Sequence, residues 1–281
     1  MPRHTNPIAS HLCWSKGSPL PGHDAASDLA LLTEAAAMAG DIAMRYFRAE
    51  HRVWDKGDGA GPVTEADLAV DAMLRGKLMG ARPDYGWLSE ETADDVARLS
   101  AERCFIIDPI DGTRSFTAGE VSWAHSIAVA EAGRVIAAVV AMPAKKVTYA
   151  ASAGGGATRN GKPLHVTAAP GPDDVTIVTA KPNLADHYWP NGTPRHTRHY
   201  RPSLAYRLAL VGEGRYDAMV TFRDTWEWDI AAGALIVEEA GGMVTDRHGA
   251  RLQFNTPSRL TAGTLAANPA LHSGLLQRIM P

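Results

Sequence analysis

Short apolar runs that alternate with helical segments, with hairpin signals among them, are the feature that most constrains the fold of this chain. The run at residues 104–107 is typical of a buried strand, and Asn160-Gly161 marks a tight hairpin turn. Apolar residues recur at helical spacing over 32–47, after Ser27 or Asp28 as a cap. Strands and helices are therefore interleaved, and the frequent hairpins predict mixed sheets between helical layers rather than a purely parallel sheet.

The chain's 281 residues are enough for one large domain or two closely packed ones. Residues 1–26 contain proline and glycine but no periodicity, so we expect a disordered leader. They also lack the apolar stretch of a secretory signal. Glycines and prolines punctuate the chain near residues 150–170. We therefore divide the remainder into an N-terminal α+β part, 27–155, and a C-terminal α/β part, 156–281.

Charge and cysteine usage exclude several classes of protein. The formal net charge is −3, so no basic field exists to hold a nucleic-acid backbone, although a small charged metabolite needs only a local site. No apolar run approaches the roughly 18 residues that span a bilayer. Cys13 and Cys104 are the only cysteines, which excludes a disulfide framework and a cysteine metal site. We expect a reduced, cytoplasmic protein.

Two carboxylates, Asp108 and Asp111, follow directly on the buried strand. Pro109 cannot donate to a sheet and Gly112 permits a tight turn, so the chain leaves the strand there and Thr113 can begin a short helix. The N–H groups that open a helix attract phosphate, but neighbouring carboxylates repel it unless a cation lies between them. Oxygen ligands without His or Cys select Mg²⁺. The alternative is an Asp-Pro turn followed by an Asp-Gly turn, both of them common.

Three further acidic segments add to this pattern. Glu90 and Glu91, the glutamate pair, follow an apolar dipeptide, Asp229 directly precedes a helix, and Asp67 stands three residues after Thr64. Each has a simpler interpretation: a solvated acidic pair, a helix N-cap, and a capping box, respectively. The capping role is compatible with metal binding, because a carboxylate has two oxygens.

In this order the segments resemble the inositol monophosphatase superfamily of Mg²⁺-dependent, lithium-sensitive phosphomonoesterases, over about residues 27–278. The resemblance rests on the glutamate pair, the Asp-Pro-Ile-Asp-Gly-Thr run and the Trp-Asp-x-Ala-Ala-Gly run. It implies a layered αβαβα sandwich with mixed sheets, two to three Mg²⁺ ions in the site, and a homodimer. The partner it implies is a small phosphorylated metabolite, not a nucleic-acid polymer or a membrane.

Carried over position by position, the resemblance also implies oxygen ligands for two ions, namely Glu90, Asp108 and the Ile110 carbonyl for the first and Asp108, Asp111 and Asp229 for the second. Asp67 matches an aspartate that helps to hold a third, weaker ion through water. The backbone of Gly112 and Thr113 matches the donors that bind the substrate phosphate. We expect Thr113, with Glu90 or Asp67, to orient the attacking water and accept its proton.

Three details favour the bisphosphate nucleotidase (CysQ-type) branch of the superfamily. A Leu-Ser dipeptide precedes the glutamate pair, where inositol enzymes usually carry glycine. Arg114 follows the Asp-Pro-Ile-Asp-Gly-Thr run, where inositol enzymes usually have a small residue. Inositol enzymes also bind ring hydroxyls with a glutamate shortly before the final aspartate, but Phe222 or Thr221 stands there, with Asp224 as a partial substitute.

The expected reaction is therefore hydrolysis of 3′-phosphoadenosine 5′-phosphate to AMP and phosphate by metal-activated water. The second phosphate needs a positive site, for which the basic stretch 195–201 and the following helix offer Arg201 and Arg207; a solvated loop is the alternative. Residues 180–183 depart from the Ser-His pair common in that branch. Inositol 1-phosphate and histidinol phosphate are the alternative substrates, and a non-catalytic, metabolite-sensing homologue is the alternative of another class.

Overall fold

The computed structural model describes residues 24–57 and 61–279. Of the predicted leader, residues 1–23 lie outside the described residues, whereas 24–26 belong to the start of the first helix. Asp24 caps that helix, since its side chain accepts from the Ser27 N–H at 2.7 Å. The predicted cap at Ser27 or Asp28 is therefore wrong. Asp28 lies inside the helix and is buried.

Six α-helices are present among the described residues: α1 Ala25–Tyr46, α2 Glu65–Ala81, α3 Thr113–Thr117, α4 Leu204–Gly212, α5 Glu227–Glu239 and α6 Pro269–Ile279. Short 3-10 turns occupy Val96–Ser100, Pro143–Lys145, Lys181–Leu184 and Asp186–Tyr188. None of the helices in this part of the chain is both long and apolar enough to cross a membrane.

The larger sheet has seven strands in chain order: β3 Gly86–Ser89, β4 Arg103–Asp111, β5 Ala124–Glu131, β6 Arg134–Met142, β7 Val147–Ser152, β8 Gly156–Arg159 and β9 Lys162–Pro163. Only β3 and β4 pair in parallel, and the other neighbours in this sheet are antiparallel. The proposed division at 155/156 falls between β7 and β8 of this one sheet, and the division stays a prediction.

The smaller sheet has five strands in the order β11 His196–His199, β10 Val175–Val178, β12 Ala218–Thr221, β16 Thr264–Ala267 and β14 Met243–Thr245. Its first three strands are parallel and the other two pairings are antiparallel. Two small ribbons complete the fold, β1 Val53–Asp55 with β2 Pro62–Thr64 and β13 Thr225–Trp226 with β15 Leu260–Thr261. Both main sheets are mixed, as predicted.

The buried side chains show how these elements stack into five layers. Alternate residues of β4 face opposite sides, so Phe105 and Ile107 pack with α1 and α2 whereas Ile106 packs with α4 and α5. The smaller sheet covers the other side of α4 and α5. Its outer face packs on α6 through Leu271 and Leu275. The order is therefore α1/α2, seven strands, α4/α5, five strands and α6, which confirms the predicted αβαβα sandwich.

Strand β4 continues further than the sequence indicates. Its pairing with β5 is regular to Asp108, skips two residues, and resumes where Asp111 lies opposite Ala124. Pro109 has no N–H to offer the ladder, so the irregularity falls at that residue. The two aspartates thus stand on either side of a bulge at the end of a fully buried strand.

Candidate active site

Three aspartates from two distant parts of the chain converge at the end of β4. Asp108 and Asp111 come from the bulge, and Asp229 comes from the first turn of α5. Each offers a carboxylate oxygen, and these oxygens all lie within 4.8 Å of one another. The structure therefore brings together the three ligands implied for the second ion. Asp229 does not act as the helix cap, because α5 begins at Glu227 after Trp226.

Burial and mutual repulsion disfavour the ionised form of the carboxyl groups in this cluster. Burial raises the pKa values of Asp108 and Asp229 well above the usual range, and neighbouring carboxylates add to the effect. Burial also raises the pKa of Asp111 to about 6, although hydrogen bonds from Ser203 and Ala205 oppose the rise. One oxygen of Asp108, Oδ1, is buried without a hydrogen-bond partner among the described residues.

A divalent cation fits this donor set. All the converging groups are carboxylate oxygens, the ligand type that Mg²⁺ prefers. An unpaired buried carboxylate oxygen is costly unless a cation or donor meets it, and a cation would relieve the repulsion that raises the pKa values.

Glycine at position 112 lets the chain turn directly after Asp111. Its φ of 99° lies in the left-handed region, and a Cβ there would approach the Ser122 carbonyl oxygen to 3.3 Å. Helix α3 begins at the next residue, Thr113. The Thr113 hydroxyl lies 3.1 Å from the Ile110 carbonyl oxygen and 3.3 Å from Asp67 Oδ1.

Asp67 caps α2 with one carboxylate oxygen and faces Thr113 with the other. Its Oδ2 accepts from the Thr64 N–H at 2.8 Å and from the Thr64 hydroxyl at 2.5 Å, which completes the capping box of α2. Its Oδ1 faces Thr113. Burial raises the pKa of Asp67 to about 6, although the bonds from Thr64 oppose the rise. A carboxylate of this kind can accept a proton near neutral pH.

The glutamate pair is held by a lysine from the β1–β2 ribbon. Lys56 Nζ lies 2.7 Å from a Glu90 oxygen and 2.6 Å from a Glu91 oxygen. Burial raises the pKa of Glu91 to about 7, and the Glu90 charge adds to this. Burial acts to lower the pKa of Lys56, but the charges of Glu90 and Glu91 and the hydrogen bonds to them together outweigh it, and the pKa rises to about 12. A solvated acidic pair is therefore the wrong interpretation of these residues.

Glu90 lies beside the aspartate cluster without being one of its three convergent ligands. Its charge contributes to the raised pKa values of Asp67, Asp108 and Asp229. Its backbone N–H donates to the Ile107 carbonyl at 3.1 Å, which extends the parallel pairing of β3 with β4.

Two residues that shape the bulge carry no signal in the sequence. His125 on β5 is fully buried, and its Nδ1 is hydrogen-bonded to the Pro109 carbonyl between the two aspartates. Because a carbonyl only accepts, Nδ1 carries the hydrogen, and burial lowers the pKa of His125 to about 4 so that the ring is neutral. Ser203, the N-cap of α4, donates to Asp111 Oδ2 at 2.7 Å, and the Ala205 N–H does the same at 2.7 Å.

The three arginines predicted to bind the substrate differ in their surroundings and contacts. Arg207 is buried and close enough for its charge to lower the pKa values of Asp111 and Asp229 against the effect of burial. Arg114 is exposed on α3, near Gly61 of the β1–β2 ribbon. Arg201 turns to the Tyr200 carbonyl at 2.6 Å and the Tyr216 hydroxyl at 2.8 Å.

Two other arginines of the basic stretch bond to groups outside the aspartate cluster. Arg195 forms an exposed ion pair with Asp174 at 2.7 Å, and Arg198 donates to the Thr179 carbonyl at 3.3 Å. For Arg195 the solvated-loop alternative is therefore correct.

Arg223 is a cation at the site that the sequence does not single out. It is exposed in the turn between β12 and β13, and its positive charge opposes the burial that raises the pKa of Asp229. No ion pair or hydrogen bond joins it to another residue that the structure describes. The signal that could have found it is its position, six residues before Asp229 at the carboxyl edge of the parallel strands.

Comparison with known proteins identifies the family of this chain. The model of the inositol monophosphatase family matches residues 24–280. The chain belongs to the inositol monophosphatase family. It is 31% identical over 265 residues to the inositol-1-monophosphatase of Mesorhizobium japonicum, covering 89% of this chain and 95% of that protein. It is 34% identical over 260 residues to the histidinol-phosphatase of Chlorobaculum parvum, covering 90% of this chain and 96% of that protein.

Among solved structures, the fold is similar to an inositol monophosphatase of Thermotoga maritima, with a TM-score of 0.77 and 29% identity over 90% of this chain and 95% of that one. The protein is therefore a phosphatase of the inositol monophosphatase superfamily, whose members use Mg²⁺. Among the residues that the structure describes, the buried acidic cluster at the end of β4 is a group that could bind the metal.

Proposed function

We propose that this protein is a Mg²⁺-dependent phosphomonoesterase whose substrate carries a second anionic group, and that this substrate is 3′-phosphoadenosine 5′-phosphate. The observation that carries the proposed reaction is the convergence of Asp108, Asp111 and Asp229 oxygens within 4.8 Å. The choice of substrate is supported by two arginines, Arg207 and Arg223, whose charges act on Asp229.

In this proposal the carboxylates hold two to three ions, with ligands divided as the family resemblance implies: Glu90, Asp108 and the Ile110 carbonyl; Asp108, Asp111 and Asp229; and Asp67 through water. When bound, Mg²⁺ lowers the pKa of water and neutralises charge on the ester oxygens. The backbone N–H groups of Gly112 and Thr113 bind the phosphoryl oxygens at the start of α3.

The proton of the attacking water needs an acceptor in this chain. Thr113 Oγ1 and Asp67 Oδ1 are 3.3 Å apart, so both can contact one water molecule bound beside them. Asp67 Oδ1 lies outside the capping box and faces Thr113, and with the pKa of Asp67 raised to about 6 by burial this carboxylate can take the proton. The water oxygen bonds to phosphorus as the phosphorus–oxygen ester bond breaks. The leaving oxygen takes a proton from solvent water, and Asp67 returns the proton it accepted to solvent, so the products are the alcohol and hydrogen phosphate.

Charge complementarity separates the candidate substrates. A second phosphate fits beside Arg207 and Arg223, because guanidinium groups bind phosphate through paired donors. The amine of histidinol phosphate would instead meet like charge. For inositol 1-phosphate, Asp224 is the one acidic residue offered in place of a ring-binding glutamate, and it is occupied by Arg247 at 2.9 Å. The names of the relatives favour these two phosphates, which are therefore the second candidates.

The test is a phosphate-release assay with the three phosphates, with Mg²⁺ and with EDTA. We expect the bisphosphate nucleotide to have the highest kcat/KM and EDTA to abolish release. Arg223→Ala should lower that kcat/KM about tenfold, the size of effect typical of losing a charge-assisted bond. Arg195→Ala, which removes an exposed, ion-paired arginine of the basic stretch, is the control and should have no effect.

Each alternative predicts a different result. A preference of the wild-type enzyme for inositol 1-phosphate or histidinol phosphate would refute the proposed substrate and leave the phosphatase assignment intact. Binding of these phosphates with no Mg²⁺-dependent release from any of them would favour the non-catalytic, metabolite-sensing homologue. We further propose that the enzyme acts in the cytoplasm as a homodimer, is inhibited by lithium, and engages neither a nucleic-acid polymer nor a membrane.

A further inference from the structure

A buried carboxylate outside the aspartate cluster accepts hydrogen bonds from the segment that carries the glutamate pair. Asp71 lies on α2, one helical turn beyond Asp67, and is only 7% exposed. The Ser89 hydroxyl donates to Asp71 Oδ1 at 2.5 Å, and the Thr92 hydroxyl donates to Oδ2 at 2.6 Å. These two hydroxyls stand immediately before and after the glutamate pair.

The surrounding bonds fix the direction of each of these contacts. Ser89 Oγ also accepts from the Glu91 N–H at 3.3 Å, and Thr92 Oγ1 accepts from Trp87 Nε1 at 3.2 Å. Each hydroxyl therefore accepts one hydrogen bond and donates another to Asp71. An ionised carboxylate accepts at both oxygens, whereas an amide would present its NH₂ to one of these donating hydroxyls. The two contacts are also charge-assisted, which makes them short and strong.

The helix that carries Asp71 is held firmly in the fold. Helix α2 is fixed at its start by the capping box and along its length by fully buried Leu74 and Leu78. The other side of the segment is fixed by the Glu90 N–H bond to the Ile107 carbonyl. Glu90 is thus held between α2 and β4, the strand that supplies two aspartates of the cluster.

We propose that Asp71 is a positioning residue that sets the Glu90 carboxylate against the aspartate cluster and so determines how tightly the site binds a divalent cation. This inference rests on the metal role given to Glu90 in the proposed function. Asp71 touches no member of the cluster in the hydrogen bonds of the structure, so its effect passes through Ser89 and Thr92.

The test measures Mg²⁺ binding by isothermal titration calorimetry without substrate, followed by the Mg²⁺ dependence of phosphate release. Asp71→Asn and Asp71→Leu are compared with Leu78→Val, a small change in the buried face of the same helix. We expect Asp71→Leu to bind Mg²⁺ about tenfold more weakly and Asp71→Asn to lie between it and wild type. At saturating Mg²⁺ we expect kcat within about twofold of wild type, because the ligands themselves are intact.

Ser89→Ala and Thr92→Val each remove one donor to Asp71, and they keep the test available if Asp71→Leu does not fold. Each should weaken Mg²⁺ binding severalfold while leaving kcat at saturation unchanged. Mg²⁺ affinity equal to wild type in these variants, or an equal loss in Leu78→Val, would overturn the inference. A wild-type protein that binds no Mg²⁺ would overturn the proposed function and this inference together, so the two failures are distinguishable.

Discussion

The burial of Asp111 in the aspartate cluster predicts that one active-site substitution will stabilise the metal-free protein. Asp111 has its pKa raised from 3.8 to about 6, chiefly by burial. At roughly 1.36 kcal/mol per pH unit this difference corresponds to about 3 kcal/mol. A carboxyl group with a raised pKa in the folded state contributes stability below pH 4 that is lost as the pH rises through 6.

Asp111→Asn removes this penalty and keeps the bonds that Asp111 accepts. Its amide oxygen can still receive the Ser203 hydroxyl and the Ala205 N–H, both 2.7 Å from Oδ2 in the wild type. Without metal at pH 8, we therefore expect the variant to be more stable by up to about 3 kcal/mol. That gain corresponds to a Tm increase of up to roughly 5 °C for a chain of this size. The gain should fall to about half at pH 5, where the wild-type group is largely protonated in the folded state.

The assay is thermal unfolding followed by circular dichroism in EDTA at pH 5 and pH 8, then with Mg²⁺ at pH 8. Mg²⁺ should raise the Tm of the wild type but not of Asp111→Asn, which should also lose activity by orders of magnitude. Asp174→Asn, the same change at an exposed, ion-paired aspartate, is the control and should show no gain. A variant that is no more stable than wild type at pH 8, or equally stabilised at both pH values, would refute the electrostatic reasoning.

Two further predictions concern the residues that hold the site and the layers. His125→Leu leaves the buried Pro109 carbonyl without its donor, so it should lower stability by about 1–3 kcal/mol and raise the Mg²⁺ concentration for half-maximal activity. His125→Asn, whose amide can replace Nδ1, should recover much of the stability and of the Mg²⁺ response. Equal effects of the two variants would count against the contact. Gly233→Ala places a Cβ 2.5 Å from Leu208 Cβ and should lower stability by about 1–3 kcal/mol, whereas Gly76→Ala, with nothing within 4 Å, should raise it by up to about 1 kcal/mol in chemical denaturation.

The layered fold could be predicted because local signals along the chain agree with one another. The apolar run at 104–107 identifies β4, and the Asn160-Gly161 turn joins β8 to β9. The sequence pattern puts the cap of α1 three or four residues late, because Asp28 resembles a cap in the sequence. In the structure it is buried and ion-paired with Arg82 at 3.0 Å and Arg103 at 3.2 Å. A local pattern cannot distinguish an aspartate that caps a helix from one that meets distant arginines.

The family resemblance joins Asp229 and Asp67 to the site, and Asp108 and Asp111 could be predicted because they follow a buried strand. The residues that hold them could not, because their partners lie far along the chain. His125 meets Pro109 from the neighbouring strand, and Ser203 meets Asp111 from α4. Each is an ordinary residue in sequence, and only the packed layers give it a role.

Crystals grown with Mn²⁺ and phosphate would test the central claim most directly, because anomalous scattering locates Mn²⁺ without reference to the protein atoms. We predict at least two anomalous peaks among Glu90, Asp108, Asp111 and Asp229, with phosphate against the start of α3. Mn²⁺ peaks found only elsewhere on the protein, with the aspartate oxygens bound to water alone, would contradict it.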